Sequence, residues 1–250
     1  MSIRAENLTV AYGRTTILHS LSFGPLTPGS VVGLIGPNAA GKSTLVKTIA
    51  GIKQPTEGSV SVSVGGAELV GKQRVRAVGY VPQDLLSSAS LTAFESVMVS
   101  ARRRGDASWD PLERSADVMQ RLGITHLADR LVSDMSGGQR QLVAMAQMLV
   151  REPSVMLLDE PTSALDLRHQ VELLQIVRDE VHESDKIALV ALHDLNLAAR
   201  YCDELLVVKE GHVIAHDTPH QVLQPDLLED VYGIRARVLD DGGVPVVCPV

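Results

Sequence analysis

The stretch that constrains the fold of this chain most is Gly36-Pro37-Asn38-Ala39-Ala40-Gly41-Lys42-Ser43. Two glycines, a lysine and a hydroxyl residue at this spacing are typical of a phosphate-binding loop. The loop follows the apolar run 31–35 and precedes a helical stretch at 44–50. This order places backbone N–H groups at a helix N-terminus, where they form a cradle for anions. We therefore predict an α/β fold with a site for the phosphates of a nucleotide, although the pattern also occurs by chance in unrelated sequences.

Two side chains of the loop have chemistry suited to a bound triphosphate. Lys42 would place a point charge beside the β and γ phosphates, and Ser43 would offer its hydroxyl to Mg²⁺. The backbone, as far as Thr44, would supply the remaining contacts. No side chain of the loop has to react covalently, so the loop predicts binding and positioning.

A second motif follows another short apolar run. Residues 155–158 are too few for a helix and apolar enough for a strand that is buried on both faces. Asp159 and Glu160 come directly after it, and open α/β sheets bind ligands at the carboxyl ends of their strands. Asp159 would hold Mg²⁺ directly or through water, and Glu160 would orient and polarise the attacking water. Alone, the two acids would indicate only an acidic turn, but the upstream phosphate loop favours the catalytic interpretation.

The third motif is Ser136-Gly137-Gly138-Gln139. Ser-x-x-Gln is the pattern of a helix capping box. The apolar residues that follow at helical spacing are Leu142, Val143, Ala146, Leu149 and Val150. Two glycines in the first turn cost about 1 kcal/mol each relative to alanine, which a cap does not explain. A phosphate that approaches the backbone would explain them, so the motif predicts a second anion site.

Together these motifs resemble those of the nucleotide-binding subunit of an ATP-binding cassette (ABC) transporter, over nearly the whole chain. The resemblance implies an α/β fold with an ABC-type phosphate-loop ATPase core, in which helices flank a mixed β-sheet, and an inserted α-helical subdomain. It implies ATP and Mg²⁺ as cofactors and a head-to-tail homodimer. The 136–139 motif of one subunit would then close over ATP held by the phosphate loop of the other, which would account for the second anion site.

The resemblance also assigns roles to single residues. Tyr12 matches the aromatic residue that stacks on adenine, with an edge-strand tyrosine as the alternative. Gln83 matches the glutamine that reaches Mg²⁺ and the attacking water, and His193 matches the histidine that contacts the γ-phosphate. Asp166 matches the loop by which the subunits sense each other, and it could equally cap the helix that starts at Leu167. The expected catalytic residues are Lys42, Gln83, Glu160 and His193. The expected metal ligands are Ser43, Gln83 and Asp159.

The sequence departs from the family pattern at two positions. Ala39 stands where many relatives carry glycine, and a positive φ angle there would cost alanine roughly 1–2 kcal/mol. We expect weakened nucleotide affinity at most. Met135 stands where leucine usually begins the signature, and a flexible apolar residue should substitute well.

Composition agrees with this assignment. The chain is 45% hydrophobic, and none of its apolar runs approaches the roughly 18–20 residues that span a bilayer. Its start does not have the pattern of a signal peptide, so we expect the protein to stay in the cytoplasm. The resemblance implies a peripheral position on the cytoplasmic side of the inner membrane. A net charge of −7 argues against nucleic acid as a partner, and Arg102-Arg103-Arg104 is interpreted as a solvated helix end. Cys202 and Cys248 have neither paired spacing nor histidine neighbours, so neither a disulfide nor zinc is predicted.

The motifs divide the chain into a core and an insertion within one ATPase domain. Residues 1–83 and 155–216 carry the strand-rich patterns and form the expected ATP-binding core. Residues 84–154 form the expected helical subdomain, which in the family docks on the membrane-spanning partner. Its predicted helices cover residues 92–104, 111–122 and 136–149. The closing segment, 217–250, is predicted to hold a helix at 218–232 and a β-hairpin with strands at 235–239 and 244–248.

Three further stretches resemble one branch of the family. Residues 91–97, 193–203 and 227–237 are similar to the branch that serves bacterial importers of iron-siderophore complexes, haem and cobalamin. The implied partners are polytopic membrane permease subunits and, indirectly, a substrate-binding protein. Two alternatives stay open: a soluble ABC ATPase that acts on ribosomes or DNA, and the ATPase subunit of an exporter.

Overall fold

The computed structural model describes residues 1–85, 90–102 and 110–250. The strands in these ranges are β1 (Ser2–Tyr12), β2 (Thr15–Leu26), β3 (Ser30–Ile35), β4 (Glu57–Val64), β5 (Ala67–Glu68), β6 (Val78–Val81), β7 (Val155–Asp159), β8 (Ile187–Ala191), β9 (Glu204–Lys209), β10 (His212–Asp217), β11 (Ala236–Asp240) and β12 (Pro245–Pro249). The α-helices are α1 (Lys42–Ile49), α2 (Gly71–Ala77), α3 (Ala93–Arg102), α4 (Pro111–Arg121), α5 (Gly137–Leu149), α6 (Leu167–Ser184), α7 (Leu195–Tyr201), α8 (Pro219–Val222) and α9 (Pro225–Tyr232).

A six-stranded sheet, in the order β10-β9-β3-β8-β7-β6, forms the centre of the fold. The strands from β9 to β6 pair in parallel, and β10 is antiparallel to β9. Strands β3, β7 and β8 are buried along their whole length. This is typical of central parallel strands that are covered on both faces. The strands predicted at 31–35 and 155–158 are thus confirmed, and the carboxyl ends of β6, β7 and β8 lie side by side.

Two apolar clusters pack on opposite faces of this sheet. Along β7, Val155 and Leu157 belong to one cluster, whereas Met156 and Leu158 belong to the other. Successive side chains of a strand point to opposite faces, which explains this division. The first cluster also contains apolar residues of α1 and of a second, antiparallel sheet in the order β2-β1-β4-β5. The second cluster contains those of α5 and α6. The central sheet is therefore covered by helix α1 and a sheet on one side and by helices on the other.

The described part of the segment between β6 and β7 is mostly helical. Helices α3, α4 and α5 agree with the three predicted helices, except that the predicted end of the first, at Arg103 and Arg104 of the basic cluster, lies outside the described residues. Asp110 caps α4 by accepting a hydrogen bond from the Leu112 N–H, and Pro111 takes the first helical position, where its missing N–H is not needed. In the described ranges, none of the helices is long and apolar enough to cross a membrane.

The closing segment corrects one prediction. The single helix expected at 218–232 is two helices, α8 and α9, separated by Leu223 and Gln224. Pro225 causes the break, because proline has no N–H to donate and disfavours helical geometry in the residue before it; Gln224 is extended, with φ −102° and ψ 144°. The predicted hairpin is confirmed as β11 and β12, and Asn196 of α7 fastens it by accepting a hydrogen bond of 2.8 Å from the Val247 N–H.

Candidate nucleotide site

The phosphate-loop sequence connects β3 to α1 and borders a cavity. Gly36 has a φ of 147°, and a Cβ there would lie 1.9 Å from the carbonyl oxygen of Val208, so only glycine fits beside β9. The cavity, of about 240 Å³, is lined by Ile17, Asn38, Ala39, Ala40, Gly41, Lys42, Ser43, Thr44 and Glu160. One cavity thus brings most of the predicted loop residues together with Glu160. Ile17 was not predicted, because an apolar strand residue carries no motif.

Ala39 has the backbone conformation that its position in the motif suggested. Its φ is 62°, in the left-handed region. A residue with a β-carbon is strained there by roughly 1–2 kcal/mol. The loop therefore adopts this backbone conformation at Ala39 despite the strain.

Lys42 lies inside the loop. Its ammonium donates hydrogen bonds to the carbonyl oxygens of Gly36, at 2.7 Å, and Pro37, at 3.0 Å. Burial lowers the pKa of Lys42, while the carboxylates of Glu160 and Asp159 oppose that shift. The two carboxylates thus help to keep a positive charge at the centre of the cradle.

Ser43 and Asp159 form a hydrogen-bonded pair beneath the loop. The Ser43 hydroxyl donates a 2.8 Å hydrogen bond to Asp159 Oδ1. Asp159 is fully buried, and its other oxygen, Oδ2, has no hydrogen-bond partner in the described part of the chain. Burial raises the pKa of Asp159, although the Ser43 hydrogen bond opposes the shift. A buried carboxylate oxygen without a partner is unfavourable unless something else satisfies it.

Glu160 is the centre of a cluster of three side chains. The Gln83 amide donates a 2.8 Å hydrogen bond to Glu160 Oε2, and His193 Nε2 lies 2.6 Å from Glu160 Oε1. The three residues follow β6, β7 and β8, whose carboxyl ends are neighbours in the sheet. Glu160 also has a positive φ of 53°, a strained conformation that is frequent at functional sites. The structure therefore brings Gln83, Glu160 and His193 into direct contact.

The 136–139 motif caps α5, and its predicted capping box is confirmed. The Gln139 N–H donates to Ser136 Oγ at 3.2 Å, and the Ser136 N–H donates to Gln139 Oε1 at 3.1 Å. Gly138 has a packing reason that the sequence did not reveal: a Cβ there would lie 2.8 Å from the carbonyl oxygen of Ala164. Among the described residues, a Cβ on Gly137 would meet only the Ala164 side chain, at an ordinary 3.5 Å. Packing within one chain therefore accounts for Gly138 but not for Gly137.

The capped helix and the phosphate loop border different cavities. Ser136, Gly138 and Gln139 line a cavity of about 410 Å³ together with Ala164, Leu165 and Asp166, and it shares no residue with the cavity of the phosphate loop. Asp166 caps α6 by accepting a 3.0 Å hydrogen bond from the His169 N–H, so the predicted capping role is confirmed. This bond, with a second from the His169 side chain, lowers the pKa of Asp166. The two predicted anion sites thus lie apart within one chain.

Tyr12 ends β1 and is about half exposed, at 47%. The strand β1 lies between β2 and β4, but its pairing with β4 ends at Thr9, and Tyr12 pairs with Thr15 of β2. The edge-strand alternative for Tyr12 therefore stays open. One face of its ring is covered by the ammonium of Lys53, 4.4 Å from the ring centroid. No sequence signal pointed to Lys53, because the contact joins residues that are far apart along the chain.

These features belong together chemically. At the carboxyl ends of the parallel strands of one sheet lie a backbone cradle with a buried lysine, a hydroxyl–carboxylate pair, and a second carboxylate between an amide and an imidazole. Phosphoryl transfer depends on such positioning and on stabilisation of charge. The fold and the site therefore define an ATPase of the phosphate-loop class.

Comparison with known proteins gives the family. Residues 18–163 match the ABC transporter family. The ferric enterobactin transport ATP-binding protein FepC of Escherichia coli is 35% identical over 260 residues, which cover 99% of this chain and 94% of that protein. The hemin import ATP-binding protein HmuV of Bordetella pertussis is 38% identical, over 98% of this chain and 97% of its own length. The chain belongs to the ABC transporter family, as an ATP-binding subunit that hydrolyses ATP.

A solved structure agrees with the fold. A dimeric ATP-binding cassette in a post-hydrolysis state, bound to ADP and Pi, superposes with a TM-score of 0.77 and 26% identity, over 87% of this chain and 98% of that one. The predicted ABC-type fold, with a mixed sheet flanked by helices, is thereby confirmed.

Proposed function

We propose that this chain binds Mg·ATP, closes into a homodimer on it and hydrolyses it to power import of a metal chelate through partner membrane subunits. The contact of Glu160 with Gln83 and His193, next to the Ser43–Asp159 pair, carries the hydrolytic part of this proposal. The cargo would be of the iron-siderophore, haem or cobalamin type. Its support is the likeness to two proteins named for transport of ferric enterobactin and import of hemin.

The residues beneath the loop fit Mg²⁺. Hydroxyl and carboxylate oxygens are the ligands this ion prefers, and Asp159 Oδ2 is a buried oxygen without a partner in the described residues. Ser43 and Asp159 would hold the ion, and Gln83 would reach it with its amide oxygen. Bound Mg²⁺ would neutralise negative charge on the phosphates.

The remaining residues bind and orient the substrate. Lys42 would exchange its hydrogen bonds to the Gly36 and Pro37 carbonyls for bonds to the β and γ phosphates, so its charge is already in the right place. Glu160 would accept a hydrogen bond from the attacking water. Because Gln83 and His193 hold both of its oxygens, its carboxylate cannot rotate freely, and a preoriented base reduces the reorganisation that the reaction requires.

Separation of the two anion sites supports a head-to-tail dimer. Within one chain, the cavity at Ser136, Gly138 and Gln139 does not meet the phosphate loop. In the part of the chain that the structure describes, packing gives no reason for Gly137 to be glycine. ATP held by the loop of one subunit would therefore be closed by the 136–139 motif of its partner. Such a dimer would lie on the cytoplasmic face of the inner membrane, attached to permease subunits that receive cargo from a substrate-binding protein.

A single substitution tests the hydrolytic centre. Glu160→Gln keeps the shape of the side chain but removes its basicity, so we expect ATP turnover to fall roughly 10²- to 10⁴-fold while ATP binding is spared. Turnover by phosphate release and the Kd by calorimetry should be measured together. Glu183→Gln, an exposed glutamate at the end of α6, is the matched control. Near-normal turnover in Glu160→Gln would remove Glu160 from this role.

A second experiment tests the transport part. Tagged protein should be purified from membranes and its partners identified by mass spectrometry. A polytopic membrane subunit with a substrate-binding protein would support import, and the binding protein would identify the cargo. Ribosomal or DNA-repair proteins without a membrane subunit would refute the transport role and favour the soluble alternative.

A further inference from the structure

Tyr12 and Lys53 meet at the end of β1. The Lys53 ammonium lies 4.4 Å from the centroid of the Tyr12 ring, whose side chain is half exposed. Lys53 itself is partly buried, and in the residues that the structure describes its ammonium has no carboxylate partner. The ring face is therefore the main interaction of this charge. A cation over an aromatic face is attracted by the negative charge density of the ring.

The backbone fixes this contact. The N–H groups of Ile52 and Lys53 both donate to the Lys47 carbonyl oxygen, at 2.9 and 3.2 Å, so the chain after α1 is bound to the last turn of that helix. At the other end of the same connection, the Thr56 N–H donates a 2.8 Å hydrogen bond to the Thr9 carbonyl oxygen in β1. Because α1 begins at the phosphate loop, Lys53 is linked to the loop through one helix and to Tyr12 through one strand.

We infer that Lys53 is a positioning residue for the nucleotide base: its ammonium holds the Tyr12 ring from one face, so that the opposite face is presented to adenine. This role rests on the proposed function, in which Tyr12 stacks on the base. A half-exposed tyrosine loses side-chain freedom when a base stacks on it, which weakens binding. A ring already held by a cation loses less freedom, so Lys53 increases the affinity for the nucleotide.

The opposite geometry makes the opposite prediction. If the ammonium covered the face that adenine needs, the base would have to displace it, and removal of the charge would tighten binding. The sign of the change in Kd therefore distinguishes a support behind the ring from an obstacle in front of it.

Calorimetry with Mg·ADP on the full-length chain measures this sign, because ADP binding at the phosphate loop does not require closure of the dimer. We expect Lys53→Met, which keeps the length of the side chain, to raise the Kd about two- to five-fold. Lys53→Arg should restore the affinity, since a guanidinium also binds an aromatic face. Lys72→Met, on the exposed side of α2, is the matched control and should leave the Kd unchanged.

Base specificity provides a second readout. CDP has the same phosphates as ADP but a smaller base that offers less stacking area. A less ordered Tyr12 ring should therefore weaken the binding of ADP more than the binding of CDP. The preference for ADP should decrease in Lys53→Met. A structural defect of the phosphate loop would weaken both nucleotides equally, and that result would overturn the role of Lys53.

A double mutant separates this role from the proposed site. Tyr12→Leu should weaken Mg·ADP by about five- to a hundred-fold if the base stacks on the ring. Lys53→Met should then have no further effect in the Tyr12→Leu background. An unchanged Kd in Tyr12→Leu would refute the adenine site itself. Weaker Mg·ADP binding in Tyr12→Leu, together with unchanged or tighter binding in Lys53→Met, would support the adenine site and overturn the role of Lys53.

Discussion

Replacement of Glu180 by glutamine should destabilise the protein strongly, because this carboxylate pairs with two cations. Glu180 lies in α6 and is almost completely buried. Arg121 of α4 donates a 2.8 Å hydrogen bond to Glu180 Oε2, and the buried ammonium of Lys186 bonds to Oε1. The ion pairs therefore join the helical segment between β6 and β7 to the start of β8.

The magnitude follows from the exposure of the partners. Removal of one member of a buried ion pair typically costs about 3–5 kcal/mol, because the other charge is left uncompensated. Arg121 is 49% exposed and can turn to water, but Lys186 is only 9% exposed and cannot. Glutamine also retains one acceptor, so we expect a loss of about 2–3 kcal/mol in the free energy of unfolding, with a fall in Tm of roughly 4–12 °C.

The loss should depend on pH. Burial raises the pKa of Glu180, but hydrogen bonds and charges from Lys186 and Arg121 outweigh burial, and the net pKa lies below the usual range of glutamate. An acid whose folded pKa is lowered stabilises the protein fully above its unfolded pKa, about 4.3. This contribution disappears as the pH falls through the folded value. The difference between wild type and Glu180→Gln should thus be constant near neutral pH and vanish in acid.

Urea unfolding, followed by circular dichroism at several pH values, measures both effects. Glu183→Gln lies on the same helix but is exposed, so it should change stability by less than about 0.5 kcal/mol. Glu180→Gln combined with Lys186→Met should recover part of the loss, because the second change removes the unpaired charge. A loss below about 0.5 kcal/mol in Glu180→Gln would refute the reasoning, since it would mean that water screens these charges as at a surface.

Two further substitutions test the nucleotide sites. Ala39→Gly should relieve the strain of the left-handed backbone and, after the entropic cost of glycine, stabilise the protein by up to about 1 kcal/mol in urea unfolding; a loss of stability would mean that the position is unstrained. Ser136→Arg places a large cation in the cavity of the 136–139 motif, so ATP-driven dimerisation in a Glu160→Gln background should be lost while the Kd for Mg·ADP stays within about twofold. Ser136→Ala controls for the lost cap, and undiminished dimerisation by light scattering would contradict the head-to-tail site.

Local signals predicted the elements that border the site. The apolar run before Asp159 was short and bounded, so its strand could be identified, and the capping box at Ser136 and Gln139 depends only on residues of one helical turn. The positive φ of Ala39 also follows from its place in a known loop. The break before Pro225 was predictable too, from the geometry of proline, but the prediction treated residues 218–232 as one continuous helix.

Contacts between distant segments could not be predicted in the same way. The motifs placed Gln83, Glu160 and His193 after strands, and the resemblance placed them around the attacking water and the γ-phosphate. Their direct contact depends on the order β8-β7-β6, which is set by packing of the whole sheet. The approach of Ala164 to Gly138 and of Lys53 to Tyr12 likewise joins segments with no shared pattern. Sequence therefore indicated the chemistry of the site, whereas its geometry required the fold.

The loop after β7 has little slack. It begins at Glu160, whose carbonyl oxygen accepts a 3.0 Å hydrogen bond from the Ser163 hydroxyl. The residue after Ser163 is Ala164, whose carbonyl oxygen lies against Gly138. In the proposed dimer, Glu160 faces the ATP of its own subunit and Gly138 faces the ATP of the other. A displacement at one nucleotide would then be transmitted to the other nucleotide through the few residues between Glu160 and Ala164. The dimer should therefore hydrolyse ATP cooperatively, with a sigmoidal dependence of rate on ATP concentration. When one site is empty, hydrolysis at the other site should stop as well.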